Sequence, residues 1–306
     1  MNFTQLQSFV AVAETRSFTE AAYAIGLTQS TVSHALAALE SELGVILLER
    51  NRKGLIALTN AGQKLLPYAR QLLALAETIR QEAKAAHGLL MGKLRLGSMS
   101  AVSPRLLVGV LSHFQRQYPN IDVVLFEGTV PEVQEWIETS LIDVGFVIHP
   151  AKEAESMLLT TDTMQAIVAS GHHLSARTSV TLKELREEHV IMPRTGCTFP
   201  EIFGQVRGKQ GPHIRSQASE HATILAMIRE GLGITILPRL ILPEKLEGIV
   251  AIPFAPPLRL QIGLTVSSPE TVSPAVKLFV QTAVAWVQEH APLLPPASKA
   301  EAGGSD

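Results

Sequence analysis

The chain has 306 residues, of which 46% are hydrophobic and 18% are charged, and its formal net charge is −2. This length predicts about two domains with well-packed cores, and the small net charge favours no particular class of partner. The one cysteine, Cys197, excludes a disulfide within the chain and is typical of a reducing compartment.

The N-terminal segment MNFTQLQSFVAVAE has no basic region, and polar residues interrupt its apolar ones. It is therefore not expected to act as a signal peptide. No apolar run elsewhere approaches the roughly 20 residues that a membrane span needs. We expect a soluble cytoplasmic protein with no membrane partner.

Two short helices joined by a tight turn are predicted next. Ser17 followed by Glu20 is a capping box, which predicts a helix start. Gly26 suits the left-handed end of that helix, and the hydroxyl of Thr28 can cap the following one. This arrangement is the helix-turn-helix pattern, whose second helix enters the major groove of DNA.

The second helix carries apolar residues at helical spacing, which predict one buried face: Val32, Leu36, Leu39 and Leu43. No formal charge appears from Leu27 until Glu40, so the opposite face offers neutral hydrogen-bonding groups to DNA. Gln29 can pair with adenine, and His34 can donate to a base or a phosphate. The residues predicted to contact DNA here are Ser17, Thr28, Gln29, Ser30, Thr31, Ser33 and His34.

The stretch LLERNRKGLIAL predicts two short strands around a turn at Asn51 to Gly54. Arg50, Arg52 and Lys53 cluster at this turn, as a wing that contacts phosphates or the minor groove requires. Residues 1 to 60 nevertheless hold four basic and five acidic residues, so the usual basic footprint of a DNA-binding domain is missing. A capped helix pair with a polar face and no DNA therefore stays an alternative.

Residues 59 to 88 predict one long helix that begins at a Thr59 cap. Its apolar residues repeat at spacings of four and three, which indicates a heptad seam. The residues predicted to form a dimer interface are Leu65, Ala69, Leu72, Ala76, Ile79 and Ala83. The alternative is a helix that packs on its own domain.

From Lys93 onward, short apolar runs alternate with helical segments, which predicts βα units and a largely parallel sheet. Small hydroxyl-bearing residues follow several strands where helices begin, near Ser98, Thr129, Cys197 and Ser219. Free N–H groups at such starts favour an anion, typically a carboxylate. The alternative is that these residues are ordinary helix caps.

No enzyme motif is apparent: GxSxG, a phosphate loop and CxxC are absent from the sequence. His172 and His173 are adjacent, and adjacent histidines are not expected to share one metal ion. Cys197 precedes a predicted helix, where a thiolate is favoured, but a disulfide switch within one chain needs a second cysteine. We expect no catalysis, no cofactor and no resident metal.

Residues 3 to 66 resemble the winged helix-turn-helix of LysR-type transcriptional regulators. The matching segments are LQSFVAVAETRSFTEAA, LTQSTVSHALAALESELGVILLER and LTNAGQKLL, and the layout agrees over roughly residues 1 to 290. The family often has Arg where His34 stands. The resemblance implies a sequence-specific DNA-binding regulator whose partners are double-stranded DNA, a small and anionic effector, and further copies of itself as a dimer or tetramer. RNA polymerase is a further candidate partner.

The resemblance implies α/β architecture with an N-terminal all-α winged helix-turn-helix and a sensor of two α/β subdomains, like a periplasmic binding protein. The expected divisions are a DNA-binding domain (1–58), a linker and dimerisation helix (59–88), an effector domain (89–292) and a disordered tail (293–306). The effector-lining positions implied are Ser98, Met99, Ser100, Ala101, Thr129, Val147, Ile148, Cys197, Thr198, Phe199 and His221. A transport solute-binding protein and a non-specific architectural DNA-binding protein are the alternatives.

Overall fold

The computed structural model describes residues 1–50, 56–99, 102–148, 156–193, 213–218 and 220–290 of the chain. The N-terminal part consists of three helices followed by an antiparallel pair of short strands. These elements are α1 (Phe3–Thr15), α2 (Phe18–Ala24), α3 (Gln29–Leu43), β1 (Leu48–Arg50) and β2 (Ile56–Leu58). The turn predicted between the two strands lies outside the described residues.

The helix starts predicted from the sequence are confirmed by their hydrogen bonds. The Ser17 hydroxyl accepts from the Glu20 amide at 3.3 Å and begins α2. The Thr28 hydroxyl accepts from the Thr31 amide at 3.2 Å and begins α3. Gly26, between these helices, has φ +68°, a left-handed conformation that costs glycine little. The tight turn therefore follows from local sequence chemistry.

A long helix, α4 (Asn60–Ala85), follows the strand pair and begins where the Thr59 hydroxyl accepts from the Gly62 amide at 3.0 Å. Its first turns pack on the helix-turn-helix core. Gly62 approaches the Leu47 carbonyl so closely that a side chain there would collide with it. Leu66 is buried in the same cluster as Leu36 and Leu39 of α3.

The C-terminal part is an α/β domain. Its strands are β3 (Gly92–Met99), β4 (Ile121–Gly128), β5 (Val144–Ile148), β6 (Ser156–Ala169), β7 (His189–Pro193), β8 (His213–Ala218), β9 (Thr235–Pro238), β10 (Ile249–Pro253) and β11 (Arg259–Val266). Its helices are α5 (Val108–Gln117), α6 (Val130–Glu138), α7 (His221–Arg229) and α8 (Pro274–His290). A π-helical turn (Ser103–Leu107) precedes α5, and 3-10 turns lie at Glu184–Glu187, Arg239–Ile241 and Pro269–Thr271.

The main sheet has the strand order β10-β6-β11-β5-β3-β4, with β9 also paired to β6. The prediction of a largely parallel sheet is wrong. β3 pairs in parallel with β4 and β5, and β7 with β8, whereas β11 and β6 form antiparallel ladders with all their neighbours. The reason is that β6 and β11 run between the two halves of the domain, so they are not strands of ordinary βα units.

Strand β6 joins the two halves. Residues 156–163 pair with β11, and residues 164–169 pair with β9 and β10. One continuous apolar core covers both halves, from Leu94 and Phe114 in the first to Ile191 and Ile228 in the second. None of the helices in the described ranges is long and apolar enough to cross a bilayer.

Candidate DNA-binding surface and effector domain

The start of α3 presents a polar, uncharged face to solvent. Val32, Leu36 and Leu39 are buried against α1 and α2, which fixes the orientation of the helix. Leu43, predicted to join them, is exposed because the helix ends at Gly44. The side chains left facing solvent are those predicted to contact DNA: Thr28, Gln29, Ser30, Thr31, Ser33 and His34.

Hydroxyl groups pre-order this face. The Thr28 Oγ1 lies 3.0 Å from the Ser30 Oγ and 2.8 Å from the Thr31 Oγ1, in addition to its capping bond. Gln29 and His34 carry no such internal bond among the described contacts, so their polar atoms are available to an incoming partner. A groove beside them also contains Asn2 and Thr4 of the α1 start. These two residues could not be predicted from the sequence, because only the packing of α1 on α3 brings them to this surface.

The other predicted DNA contacts are placed less directly. Ser17 is half-buried and uses its hydroxyl as the cap of α2. Arg50 ends β1, but its side chain, Arg52 and Lys53 lie outside the described residues. The strand pair that would carry a wing is present, with Leu48 opposite Leu58.

Several residues expected to line an effector cleft instead lie in the packed core. Met99 and Ile148 are buried in the main cluster, and Val147 is buried beneath α6 with Val133 and Ile142. The reason is that β5 is an interior strand covered on both faces, so its alternating side chains are all buried. Ser98 is buried as well. Four of the predicted positions therefore do not face open space in this structure.

Thr129 is the N-cap of α6 in a reciprocal capping box. Its hydroxyl accepts from the Glu132 amide at 3.4 Å, and its own amide donates to the Glu132 Oε2 at 2.7 Å. Hydrogen bonds to the Glu132 carboxyl from the Thr129 amide, and secondarily from its hydroxyl, hold the pKa of that carboxyl below its usual value. Because Pro131 lacks an N–H and Glu132 brings a carboxylate, this helix start attracts an anion less than the sequence suggested.

His221 begins α7 and offers an unused polar atom. Its Nε2 is buried and has no hydrogen-bond partner among the described residues, and burial lowers the pKa of the imidazole. The ring is therefore neutral at physiological pH, and a buried polar atom of this kind normally requires a partner. The remaining predicted effector positions, Ser100, Ala101, Cys197, Thr198 and Phe199, lie outside the described residues.

Asp162 marks the junction between the two halves of the effector domain. It is fully buried on β6 and accepts hydrogen bonds from the Thr163 amide at 2.7 Å and the Leu240 amide at 2.9 Å. Burial raises the pKa of this carboxyl to about 6. Asp162 was not predicted from the sequence, although its position in phase with the buried Met164 and Ala166 is a detectable signal.

The linker helix faces in two directions. Of the residues predicted for the dimer interface, Ala69 is buried in the core of the N-terminal domain, and Leu65 is half-buried against the same core. On another side, α4 exposes apolar residues at spacings of four, three and four: Tyr68, Leu72, Leu75 and Ile79. Of the other predicted residues, Ala76 is half-buried and Ala83 is exposed.

Two buried side chains of α4 connect the DNA-binding part to the effector domain. Arg70 pairs with Glu14 of α1 at 3.1 Å and donates to the Thr139 carbonyl after α6 at 3.5 Å. Gln81 donates to the Lys93 carbonyl at 3.2 Å and accepts from the Ala275 amide at 3.3 Å. Both residues are long polar side chains on an amphipathic helix, and the sequence pattern did not distinguish them from solvent-facing ones.

A cavity of about 360 Å³ lies between α1, α4 and the near edge of the effector domain. Gln71, Gln81, Lys93 and Arg95 contribute to its lining. It contains none of the predicted effector positions, so it is separate from the expected cleft.

A helix-turn-helix with an adjoining strand pair, tied by a long helix to a two-part α/β domain, defines a DNA-binding regulator with a ligand-sensing domain. Two family models match the chain. Residues 3–63 match the bacterial regulatory helix-turn-helix protein, lysR family, and residues 87–288 match the LysR substrate binding domain. The chain therefore belongs to the LysR family of bacterial transcriptional regulators.

Relatives and solved structures agree with this assignment over nearly the whole chain. The uncharacterized HTH-type transcriptional regulator YvbU of Bacillus subtilis is 37% identical, covering 92% of this chain and 98% of its own. The structure of full-length CbnR with its target DNA is 26% identical with a TM-score of 0.63, covering 94% of this chain and 100% of that one. A full-length OxyR variant from Pseudomonas aeruginosa is 24% identical with a TM-score of 0.76, covering 92% and 94%, and supports the fold alone.

Proposed function

We propose that this regulator recognises a specific operator through the start of α3 and responds to a small anionic metabolite bound in its effector domain. The observation that carries the first half is the solvent-facing, uncharged surface of Gln29, Ser30, Ser33 and His34, held in place by the buried face of the same helix. A non-specific architectural protein would instead rely on basic residues that contact phosphates. The solved CbnR complex contains target DNA, which supports the same mode here.

Replacing Gln29 with alanine should cost ~1–3 kcal/mol of operator binding, because a paired base contact is lost. The ratio of operator affinity to random-DNA affinity should fall by the factor that corresponds to this free energy. The measurement is fluorescence anisotropy at fixed salt, with an operator obtained by in vitro selection from genomic fragments. Gln288→Ala, at an exposed glutamine on α8, is the matched control.

Two results would contradict this placement of the recognition surface. One is operator affinity unchanged by Gln29→Ala, and the other is equal weakening by Gln288→Ala. An equal loss of affinity for operator and for random DNA would indicate that Gln29 contacts a phosphate and does not recognise a base.

The effector half of the proposal rests on His221 and Thr129. The His221 Nε2 is buried without a partner among the described residues, and the half-buried Thr129 places its hydroxyl at the start of α6 after β4. Both are neutral hydrogen-bonding groups, which suit a ligand with an acid group and an apolar body. Relatives at 29% identity are named hydrogen peroxide-inducible genes activators. We favour a metabolite because the chain's one cysteine cannot form a disulfide within the chain.

Thr129→Val should weaken binding of a carboxylate effector by ~1–2 kcal/mol, because a hydrogen bond from the hydroxyl to the ligand is lost. It should also reduce the free energy of unfolding by about 1 kcal/mol, because the cap of α6 is removed. Glu132→Gln is the matched control, since it weakens the same capping box and keeps the hydroxyl. Ligands come from a thermal-shift screen of the full chain against carboxylic acids, and calorimetry measures their affinity.

If Thr129 serves only as a helix cap, the two variants will lose stability alike and keep the same ligand affinity. That outcome would remove Thr129 from the effector site. It would leave DNA recognition by α3 untouched.

We also propose that the regulator forms dimers through the exposed apolar residues of α4, and tetramers from those dimers. Dimers hold two recognition helices at a spacing of about one DNA turn or a multiple of it, which two half-sites require. The support on this chain is the run of Tyr68, Leu72, Leu75 and Ile79 at heptad-like spacing on one solvent-facing side.

A further inference from the structure

A cluster of metal-binding side chains lies at the turn after β6, away from the DNA-binding and effector residues described above. Adjacent histidines were not expected from the sequence to share one metal ion. The structure corrects that geometry, because the chain turns here and the His172 amide donates to the Ala169 carbonyl at 3.0 Å. Because the two histidines lie in a turn and not in a strand, their side chains are not held on opposite faces of the chain. Both imidazoles face Glu188, the residue before β7.

The two distances between imidazole nitrogens and carboxylate oxygens in the cluster are close to those between ligands of one metal ion. The His172 Nε2 lies 3.3 Å from the Glu188 Oε2, and the His173 Nε2 lies 3.1 Å from the Glu188 Oε1. One ligand atom from each of the three residues lies within 4.8 Å of the others. Nitrogen and oxygen ligands at roughly 2.0–2.1 Å from a tetrahedral zinc ion lie about 3.3 Å from each other. The side chains are thus already close to the required separation.

The charges in the cluster favour a cation. Among the described residues, the ion-pair contacts of Glu188 are to these two imidazoles, and its side chain is only 15% exposed. The nearby cation Arg177 pairs instead with Glu184, at 3.6 Å. With both imidazoles neutral, the group carries one negative charge. Its ligand set of two imidazoles and a carboxylate is one that zinc uses.

We propose that His172, His173 and Glu188 form a binding site for a divalent cation of the zinc class. His173 is 68% exposed, which gives the ion a path from solvent and leaves a fourth position for water. The bound ion would join the turn after β6 to the residue that precedes β7. The site is independent of the proposed operator and effector.

Metal binding would change the tautomer of His172. The His172 Nδ1 accepts from the Leu174 amide at 3.3 Å, so the neutral ring carries its proton on Nε2. Coordination through the Nε2 lone pair would move that proton to Nδ1 and exchange the Leu174 contact for a bond to the metal ion.

The test is calorimetric titration of Zn²⁺ into the full chain in a buffer without chelators. We expect one equivalent to bind, and we expect Glu188→Gln and His173→Ala each to weaken it by about tenfold or more. The matched controls are Glu187→Gln, at an exposed carboxylate next in sequence, and His87→Ala, at an exposed histidine on another segment. Thermal unfolding without metal checks that every variant is folded.

Co²⁺ provides a second readout. The visible absorption of a tetrahedral cobalt site should appear with the full chain and disappear with Glu188→Gln. The proposal is overturned if Zn²⁺ does not bind, if the cluster variants bind as the controls do, or if cobalt shows thiolate charge transfer that reports coordination by Cys197. In each of those cases the three residues form only a polar contact.

Discussion

Aspartate at Leu72 or Ile79 should convert the proposed dimer to monomers and abolish tight operator binding. These side chains are 42% and 64% exposed on the same side of α4, whereas Leu66 and Ala69 on another side of the helix are buried in the N-terminal core. A charge placed in an apolar seam would be buried without a partner on association, which costs several kcal/mol. Because the operator is expected to engage two recognition helices, losing the dimer removes the second half-site contact.

The measurement is the mass of the full chain by light scattering at several concentrations, together with operator affinity by anisotropy. Leu232→Asp is the matched control, since this leucine is similarly exposed but lies in the turn after α7. An unchanged mass for Leu72→Asp and Ile79→Asp would show that α4 is not the interface. A loss of mass with Leu232→Asp as well would indicate general destabilisation.

The parts of the fold that depend on local chemistry were predictable from the sequence. Features decided by residues close in the chain can be identified from a single sequence. Examples are the helix caps at Ser17, Thr28 and Thr59 and the positive φ of Gly26. The polar start of α3 follows from helical spacing alone. The helix-turn-helix and its exposed face could therefore be placed from residue types and spacing.

Features that depend on contacts distant in sequence could not be predicted. Ala69 fits a heptad seam as well as a domain core, and only the position of the N-terminal core decides between them. Val147 and Ile148 were expected in a cleft, but elements from other parts of the chain cover both faces of β5. The turn after β6 at GHHLS was predicted from the sequence, but the approach of Glu188 to the two histidines joins segments that are distant in the chain, and no local pattern indicates it.

Removing Glu14 should destabilise the protein more than removing its partner Arg70. The pair spans α1 and α4, and its side chains differ in burial: Arg70 is 9% exposed and Glu14 is 39% exposed. Burial lowers the pKa of the Arg70 guanidinium, and the contact with Glu14 opposes that effect. Glu14→Ala leaves a buried cation without its counter-ion, which should cost about 3 kcal/mol, whereas Arg70→Met leaves a carboxylate that water can reach and should cost about 1 kcal/mol.

Urea denaturation of the full chain measures both free energies of unfolding. Glu77→Ala is the matched control, because its pair with Arg80 is solvent-exposed and should contribute less than about 0.5 kcal/mol. Equal losses for Glu14→Ala and Glu77→Ala would show that the Arg70 pair contributes no more than a surface contact. A larger loss for Arg70→Met than for Glu14→Ala would reverse the argument. In that case the stabilisation would come from the Arg70 side-chain packing and its bond to the Thr139 carbonyl, so Arg70 would hold α4 against the effector domain rather than against α1.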